Sequence, residues 1–437
     1  MSRNIILLDG GSKNSILLLE KEFEMSKFSP HHGISTISIQ AEEAENPKNA
    51  HVAPIFQSSI FLFPDVNSGQ KIFSKDEPGY YYSRNGNPNT DQFAKKVAIL
   101  EGIDLIRARP NDEIDNIVAG KVFSSGMAAI TSAILAKCNP GDTVISQDAL
   151  YSHSFTFLNE LITKYGLNLI WVKDLSNKGW EIVINDHPGA SLVYIETPAN
   201  PTMSIVDIEH IAELAHNFGS WVMVDNTFAT PYCQRPLSLG ADLVVHSTTK
   251  YLSGHGLIIG GVLISPHVEF IGNELQKTAT IYGASPSPFD TWLANIGLKT
   301  FGVRMEKHCQ NALKVAGFLS HHPKVERVNY PGLVSFPYHQ IAEKQMSSYG
   351  GMISFELKAG YEAGKTLMNS LKLITLAVSL GNIDSLIEHP ASMTHHNVQE
   401  DKRREMGISD GLVRFSVGIE NVEDIIEDLD QGLLRVG

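Results

Sequence analysis

Five short apolar runs alternate with helical patterns in the middle of this 437-residue chain, and this alternation constrains the fold most. Each run is too short for a typical helix, is rich in β-branched residues and ends in a polar residue. Continuous apolar strands separated by helices predict an α/β fold with a mostly parallel sheet that is covered on both faces. The runs are Lys121–Ser124, Thr143–Ser146, Leu192–Glu196, Trp221–Asp225 and Leu243–His246, and Ile208–His216 is one of the intervening helices.

Polar side chains cluster at the carboxyl ends of these runs, where open α/β sheets bind their ligands. Ser125-Gly126 follows the first run and opens a helix, whose N–H groups favour an anion, most often a phosphate. A tight turn with a serine N-cap is the alternative. Asp225 follows four apolar residues, so its carboxylate either meets a cation such as a protonated ring nitrogen or caps the next turn.

Two basic residues complete a site suited to an amino acid. Lys250 stands between hydroxyl residues just past a strand, where desolvation would make it a Schiff-base nucleophile; the alternative is a solvated turn lysine. Ser247 and Thr249 could donate to a phosphate. Arg414 lies on the strand face opposite its apolar neighbours, and either clamps a carboxylate or forms a structural salt bridge. Together these features meet the needs of pyridoxal 5′-phosphate (PLP) acting on an α-amino acid.

Composition argues against several other classes of protein. With 43% hydrophobic and 19% charged residues, the chain can form a sizeable core. A net charge of −13 without basic runs argues against nucleic acid or an anionic membrane as partner. No apolar run approaches the roughly 18 residues of a membrane span. Three scattered cysteines predict neither a disulfide framework nor a metal site, so we expect a cytoplasmic globular protein.

The two ends of the chain differ. The apolar pieces of the first 24 residues are too short and too interrupted for a signal-peptide core, so this segment is expected to be an extension without an assigned role. Asn421–Leu434 places its apolar residues on one helical face and its acids on the other, which predicts a helix that packs on the body of the protein.

Five motifs make the chain resemble the Cys/Met-metabolism PLP enzymes, also called the trans-sulfuration or cystathionine γ-synthase family. The resemblance extends from about residue 33 to the C-terminus, and several motifs in the family's order are highly specific together. The motifs are Tyr82–Pro88 (YSRNGNP), Glu196–Pro201 (ETPANP), Val224–Phe228 (VDNTF), His246–Lys250 (HSTTK) and His389–His395 (HPASMTH).

The resemblance implies the PLP-dependent transferase fold type I, with a large mostly parallel-sheet domain and a smaller C-terminal α/β domain. We expect an extension over residues 1–32, an arm over 33–86 that contributes to a neighbouring active site, a PLP-binding domain over 87–287 and a C-terminal domain over 288–437. The resemblance also implies a homo-oligomer, with a dimer as the active unit and usually a tetramer formed as a dimer of dimers. An inserted segment, Ile103–Ala119, is expected to form a surface loop.

The resemblance further implies a role for each site residue. Lys250 would form the Schiff base, Asp225 would pair with the ring nitrogen and Tyr151 would stack on the ring. Tyr151 would also act as general acid to the leaving group if nearby cations lower its pKa. The other implied contacts are Gly126, Met127, Ser247 and Thr249 at the phosphate, Tyr82 and Arg84 at the phosphate of a neighbouring subunit, Glu196 and Asn200 near the ring, and Ser379 and Arg414 at the substrate carboxylate.

The exact reaction follows less directly. The segments Ala377–Gly381 and Glu388–His395 resemble methionine γ-lyases most, and Val378 stands where members that handle cystathionine often carry a glutamate. Two features depart from the methionine γ-lyase pattern. His153 stands in place of the usual cysteine and either acts on the substrate or fills space, and Ser253–Gly261 resembles the corresponding segment of O-acetylhomoserine sulfhydrylases. We expect γ-elimination of methionine or homocysteine to 2-oxobutanoate, ammonia and a thiol. The alternatives are cystathionine γ-lyase activity and γ-replacement on an activated homoserine, by a cystathionine γ-synthase or an O-acetylhomoserine sulfhydrylase.

Overall fold

The computed structural model describes residues 29–43, 46–396 and 398–437, so most of the extension predicted over 1–32 lies outside the described residues. The described strands form one seven-stranded and one five-stranded sheet. The strands are β1 (Ala119–Phe123), β2 (Thr143–Gln147), β3 (Asn168–Val172), β4 (Leu192–Glu196), β5 (Trp221–Asp225), β6 (Leu243–Ser247), β7 (Gly261–Ser265), β8 (Val325–Asn329), β9 (Met352–Leu357), β10 (Thr375–Leu376), β11 (Leu386–Glu388) and β12 (Leu412–Ser416).

The seven-stranded sheet has the order β1-β7-β6-β5-β4-β2-β3 and is parallel except for β7, which pairs antiparallel with both β1 and β6. Both faces are covered, because alternate residues of β4 enter different hydrophobic clusters. Leu192 and Tyr194 pack in one cluster, Val193 and Ile195 pack in another, and all four are fully buried. This arrangement explains why β4 is a continuous apolar run, and it confirms the predicted mostly parallel α/β architecture.

Helices connect these strands and cover the sheets, and the predicted helix Ile208–His216 has the predicted bounds. None of the described helices combines the length and the apolar character that a membrane crossing requires. The helices are α1 (Ile34–Gln40), α2 (Val66–Ser74), α3 (Pro88–Ala108), α4 (Gly126–Lys137), α5 (Ser152–Thr156), α6 (Asn177–Asp186), α7 (Ile208–His216), α8 (Thr230–Cys233), α9 (Val268–Phe270), α10 (Gln276–Tyr282), α11 (Pro288–Leu298), α12 (Phe301–His321), α13 (His339–Gln345), α14 (Gly360–Ser370), α15 (Glu400–Glu405) and α16 (Val422–Leu433).

The second sheet has the order β10-β11-β12-β9-β8 and packs against α12, α14 and α16. The predicted C-terminal helix is confirmed as α16, whose Val422, Ile425 and Leu429 are buried in this core. The alternation predicted for β12 is also confirmed, because Val413 and Phe415 enter the same core while Arg414 faces the other side.

The surface loop expected over Ile103–Ala119 is wrong at both ends. At its second end, Ile117 and Val118 are buried in the core of the large sheet and β1 begins at Ala119. Helix α3 continues to Ala108, and Ile103 and Ile106 are buried in the core of the large sheet. Their apolar side chains have the helical spacing of a buried face, which stabilises further helix rather than a loop. The domain boundaries stay a prediction, because helix α12 contributes Met305 to the first core and Ala312 to the second.

Candidate active site

A cavity of about 520 Å³ lies beyond the carboxyl ends of the parallel strands and reaches the second sheet. Thirteen of the fifteen site residues predicted from the sequence line this cavity. They are Gly126, Met127, Tyr151, His153, Glu196, Asn200, Asp225, Ser247, Thr249, Lys250, Val378, Ser379 and Arg414.

The start of helix α4 forms one wall of the cavity. Ser125 Oγ accepts a hydrogen bond of 3.0 Å from the N–H of Ala128, so this serine is the N-cap. The amides of Gly126 and Met127 have no acceptor within the helix, as in the first turn of any helix. A Cβ added to Gly126 would lie 3.0 Å from Cβ of Ser247, so glycine leaves the space that this close approach needs. The wall therefore suits a phosphate group.

Two buried carboxylates stand side by side at the ends of β4 and β5, where Glu196 pairs in register with Asp225. Burial raises the pKa of both, that of Glu196 to about 8, and the Asp225 charge adds to the shift of Glu196. Glu196 accepts hydrogen bonds from the N–H groups of Tyr151 (2.9 Å) and Asn200 (2.7 Å). Asp225 accepts one from the N–H of Thr227 at 3.0 Å. A cation placed against Asp225 would offset the cost of burying this charge.

Lys250 lies just past β6, and its Nζ donates a hydrogen bond of 2.8 Å to Ser379 Oγ. Burial and, second, the charge of Arg414 lower the pKa of Lys250 to about 8. About half of this amine is therefore neutral at pH 8, and the neutral amine is the nucleophilic form.

Ser379 has a left-handed backbone with φ of +80°, which is uncommon for a residue with a side chain. This conformation turns two groups of Ser379 towards the site. Its hydroxyl faces Lys250, and its carbonyl oxygen accepts a hydrogen bond of 2.7 Å from Nη2 of Arg414. Strained backbone of this kind is typical of functional sites.

Arg414 is held by several acceptors at the cavity wall. Besides the Ser379 carbonyl, Nη1 contacts Asn200 Oδ1 at 3.2 Å and Glu388 Oε1 at 3.0 Å. Both residues of the ion pair are buried. Arg414 therefore combines the two alternatives derived from the sequence, since it forms a salt bridge and also lines the cavity.

Sequence reasoning missed Glu388, Thr394 and His395 as cavity residues. All three lie within the segment Glu388–His395 that supported the family resemblance, so that segment was the available signal. Their position depends on strand register, because β11 pairs antiparallel with β12 and places Glu388 directly opposite Arg414.

Tyr82 and Arg84 do not line this cavity. The guanidinium of Arg84 lies 5.3 Å from the centre of the Tyr82 ring, and Nη1 donates a hydrogen bond of 2.9 Å to the carbonyl of Thr280. Tyr82 instead lines a second cavity of about 720 Å³ beside α2 and α10. Their expected reach into a neighbouring subunit stays a prediction.

Tyr151 and two neighbours form the outer part of the cavity. The ring of His153 lies 5.2 Å from the ring of Tyr151, and Val378 is 56% exposed, so its apolar side chain is available to a ligand. Burial and the Glu196 charge raise the pKa of Tyr151, with Arg414 opposing. The condition stated for Tyr151, that nearby cations lower its pKa, is therefore not met, because burial and the nearby carboxylates outweigh the cation. The phenol keeps its proton and can donate it.

The residues present fit PLP. The site offers a phosphate wall whose close packing against Ser247 requires glycine, a buried carboxylate that forms no salt bridge among the described residues, and an amine of lowered pKa. These are the three partners that the phosphate, the ring nitrogen and the aldehyde of PLP require.

Comparison with known proteins agrees with this fit. Residues 35–434 match the family described as Cys/Met metabolism PLP-dependent enzyme. The chain is 46% identical to L-methionine gamma-lyase of Fusobacterium nucleatum subsp. polymorphum, over 93% of this chain and 99% of the relative. It is also 46% identical to L-methionine gamma-lyase of Porphyromonas gingivalis, over 92% and 97%. A crystal structure of cystathionine gamma synthase from Xanthomonas oryzae pv. oryzae, in complex with aminoacrylate and cysteine, is similar with a TM-score of 0.84 and 36% identity, over 93% and 98% of the two chains.

Proposed function

Since the chain belongs to the Cys/Met-metabolism family of PLP-dependent enzymes, we propose that it is a methionine γ-lyase. It would convert L-methionine to 2-oxobutanoate, ammonia and methanethiol, and homocysteine to the same oxo acid with hydrogen sulfide. The observation that carries this proposal is the 46% identity to L-methionine gamma-lyases over almost the whole of both chains. The apolar Val378 at the open side of the cavity supports a thioether as the distal group of the substrate.

Bound PLP supplies an electron sink that stabilises the negative charge developing next to the substrate nitrogen. Asp225 would hold the ring nitrogen in its protonated form, because a buried carboxylate favours a cation beside it. Gly126, Met127, Ser247 and Thr249 would hold the phosphate, and Glu196 and Asn200 would lie near the ring. The position of each of these residues in the cavity supports these roles.

Lys250 and Tyr151 would move the protons of the reaction. Once free, the neutral Nζ of Lys250 would remove one proton from the substrate Cα and then one from Cβ, and loss of the Cβ proton allows the sulfur at Cγ to leave. Ser379 would orient this amine through the 2.8 Å hydrogen bond. Tyr151 would stack on the ring and donate the proton of its phenol to the leaving sulfur at Cγ. Its raised pKa favours the protonated form that this step needs.

Arg414 and Ser379 would bind the substrate carboxylate, and Val378 and His153 would contact its distal part. A guanidinium suits a carboxylate because it offers parallel N–H donors. His153 lies beside Tyr151, where its ring could hydrogen-bond the leaving group; the alternative is that it only fills the cavity.

We further propose a cytoplasmic homotetramer formed as a dimer of dimers, with an arm over 33–86, a PLP-binding domain over 87–287 and a C-terminal domain over 288–437. The arm exposes large apolar side chains, including Leu62 at 90% and Val66 at 86%, which supports its packing against a second copy. Tyr82 and Arg84 would then reach the phosphate of the neighbouring subunit. Light scattering on the purified holoenzyme tests the tetramer, and a monomer would contradict it.

A second candidate function is γ-replacement, in which an activated homoserine loses its acyl group and is captured by cysteine or sulfide. The similarity to a cystathionine gamma synthase of TM-score 0.84 favours it, as does the apolar segment after Lys250, where Leu257 and Ile259 are each 67% exposed.

Steady-state assays of the purified holoenzyme separate the two functions. Methionine, homocysteine, cystathionine and O-acyl-homoserines would be compared, with oxo acid and thiol as the products measured. Formation of 2-oxobutanoate and methanethiol from methionine alone supports the lyase. Turnover only with an acylated homoserine plus a thiol nucleophile would contradict the lyase and support the transferase.

A further inference from the structure

Glu388 is a buried acid that none of the roles above uses. Its side chain is 1% exposed, lines the cavity and contacts Arg414 through Oε1 at 3.0 Å. The other oxygen, Oε2, is buried and has no hydrogen-bond partner among the residues that the structure describes. A buried carboxylate oxygen without a donor is costly, so this atom is a favourable place for a proton.

The charge balance of the site changes when a substrate binds. In the free site, Glu388 and Arg414 form a neutral buried pair. With a substrate carboxylate bound to Arg414, two carboxylates would share one guanidinium in a buried environment. Two like charges so close together disfavour the ionised state of one of the two acids. The substrate carboxylate is the weaker base, so Glu388 is the acid that should take the proton.

The other titratable groups around Glu388 determine which residues besides Glu388 could take up a proton when the substrate binds. Burial lowers the pKa of His395 to about 4, so its imidazole stays neutral. Burial is also the main reason why the pKa of Tyr151 is raised, so its phenol stays protonated. Lys250, Glu196 and Asp225 are the further groups of this cavity that can take up a proton. Burial also raises the pKa of Glu388, and the opposing charges of Arg414 and Lys250 reduce this shift.

We propose that Glu388 takes up one proton when a substrate carboxylate binds to Arg414, and that this uptake sets the upper pH limit of substrate binding. The proton comes from solvent and goes to Oε2, and no other bond forms or breaks. This inference rests on the proposed function only in assigning a carboxylate to Arg414. Binding should therefore weaken by up to tenfold for each pH unit above the pKa of Glu388 in the free enzyme.

The test uses the holoenzyme and a ligand that cannot react, 4-(methylthio)butanoate, which is methionine without its amino group. Calorimetry at pH 8 in two buffers of different ionisation enthalpy measures the protons taken up on binding. We expect about one proton for the wild type and none for Glu388→Gln, which keeps an acceptor for Arg414 but cannot be protonated. Glu362→Gln, the same substitution at an exposed site, should behave as the wild type.

Equal proton uptake by the wild type and Glu388→Gln would overturn the proposal and assign the proton to the nitrogen of Lys250, to Glu196 or to Asp225. A second measurement needs no variant: inhibition by 4-(methylthio)butanoate should weaken with rising pH, whereas inhibition by the neutral 4-(methylthio)butanamide should not. Equal pH dependence of the two inhibitors, or failure of the carboxylate to bind, would also overturn it. If the enzyme forms no oxo acid from methionine, only the proposed lyase function is contradicted. The binding measurements would still test the role of Glu388.

Discussion

Nζ of Lys250 donates a hydrogen bond of 2.8 Å to the hydroxyl of Ser379, and this contact joins the large, mostly parallel sheet to a segment that connects two strands of the second sheet. The lysine follows β6, whereas the serine lies between β10 and β11. The position of the amine in the cavity therefore depends on how the two sheets are packed together.

Removal of the Ser379 hydroxyl should lower kcat/KM. Ser379→Ala and Ser379→Gly both remove the acceptor for Lys250, and we expect each to lose about tenfold in kcat/KM, the equivalent of one hydrogen bond to a charged group. Glycine also adopts the left-handed backbone conformation without strain, whereas alanine does not. Comparison of the two variants therefore separates the effect of the lost hydroxyl from the effect of backbone strain. Full activity of Ser379→Gly with loss in Ser379→Ala would assign the effect to backbone strain.

The lowered pKa of Lys250 predicts the pH dependence of cofactor attachment. Because only the neutral amine reacts with an aldehyde, the rate of colour formation on adding PLP to apoprotein should rise about tenfold per pH unit below pH 8 and level off above it. Stopped-flow absorbance between pH 6 and 9.5 measures this rate, and Lys250→Ala is the control that forms no borohydride-stable bond. A rise that continues unchanged to pH 9.5 would contradict the lowered pKa.

Substitution of Val378 should change the preferred substrate. Val378→Glu places a carboxylate at the open side of the cavity, where it would attract the distal ammonium group of cystathionine. We expect the ratio of kcat/KM for cystathionine to that for methionine to rise by up to about fivefold, the effect of a single ion pair at an exposed position. Val378→Gln matches the size without the charge and should shift the ratio far less. An unchanged ratio in Val378→Glu would show that this position does not set specificity.

Asp428 should contribute measurably to the stability of the second sheet and its helices. Its carboxylate accepts hydrogen bonds of 2.9 Å from the N–H groups of Lys372, Leu373 and Ile374, which anchors α16 to the segment before β10. Asp428→Asn leaves only one acceptor oxygen, which should cost about 2 kcal/mol and lower Tm by about 2 °C in a chain of this length. Glu427→Gln, at an exposed position of the same helix, is the control, and equal Tm values for the two variants would contradict the anchoring role.

Local sequence patterns determined the mostly parallel sheet and most of the lining of the cavity. The run before Asp225 is apolar because both faces of β5 are buried, and the chemistry of a lysine beside hydroxyl residues is visible in the motif itself. Chain position alone then brought Asp225 and Lys250 to one edge, because the carboxyl ends of parallel strands meet there.

Other features depended on contacts that no local pattern encodes. The continuation of α3 over Ile103 and Ile106 follows from a core that exists only when the sheet has formed. The location of Tyr82 and Arg84 outside the cavity depends on how the arm packs on the rest of the chain.

The pairing of Glu388 with Arg414 shows the difference most directly. Each residue can be recognised in the sequence as a charged side chain within a short strand or motif. Only the register between β11 and β12 brings them to 3.0 Å and buries both, and register is set by packing of the whole second sheet. Because burial governs both the cost of a charge and its pKa, the electrostatics of the site were decided by the tertiary structure.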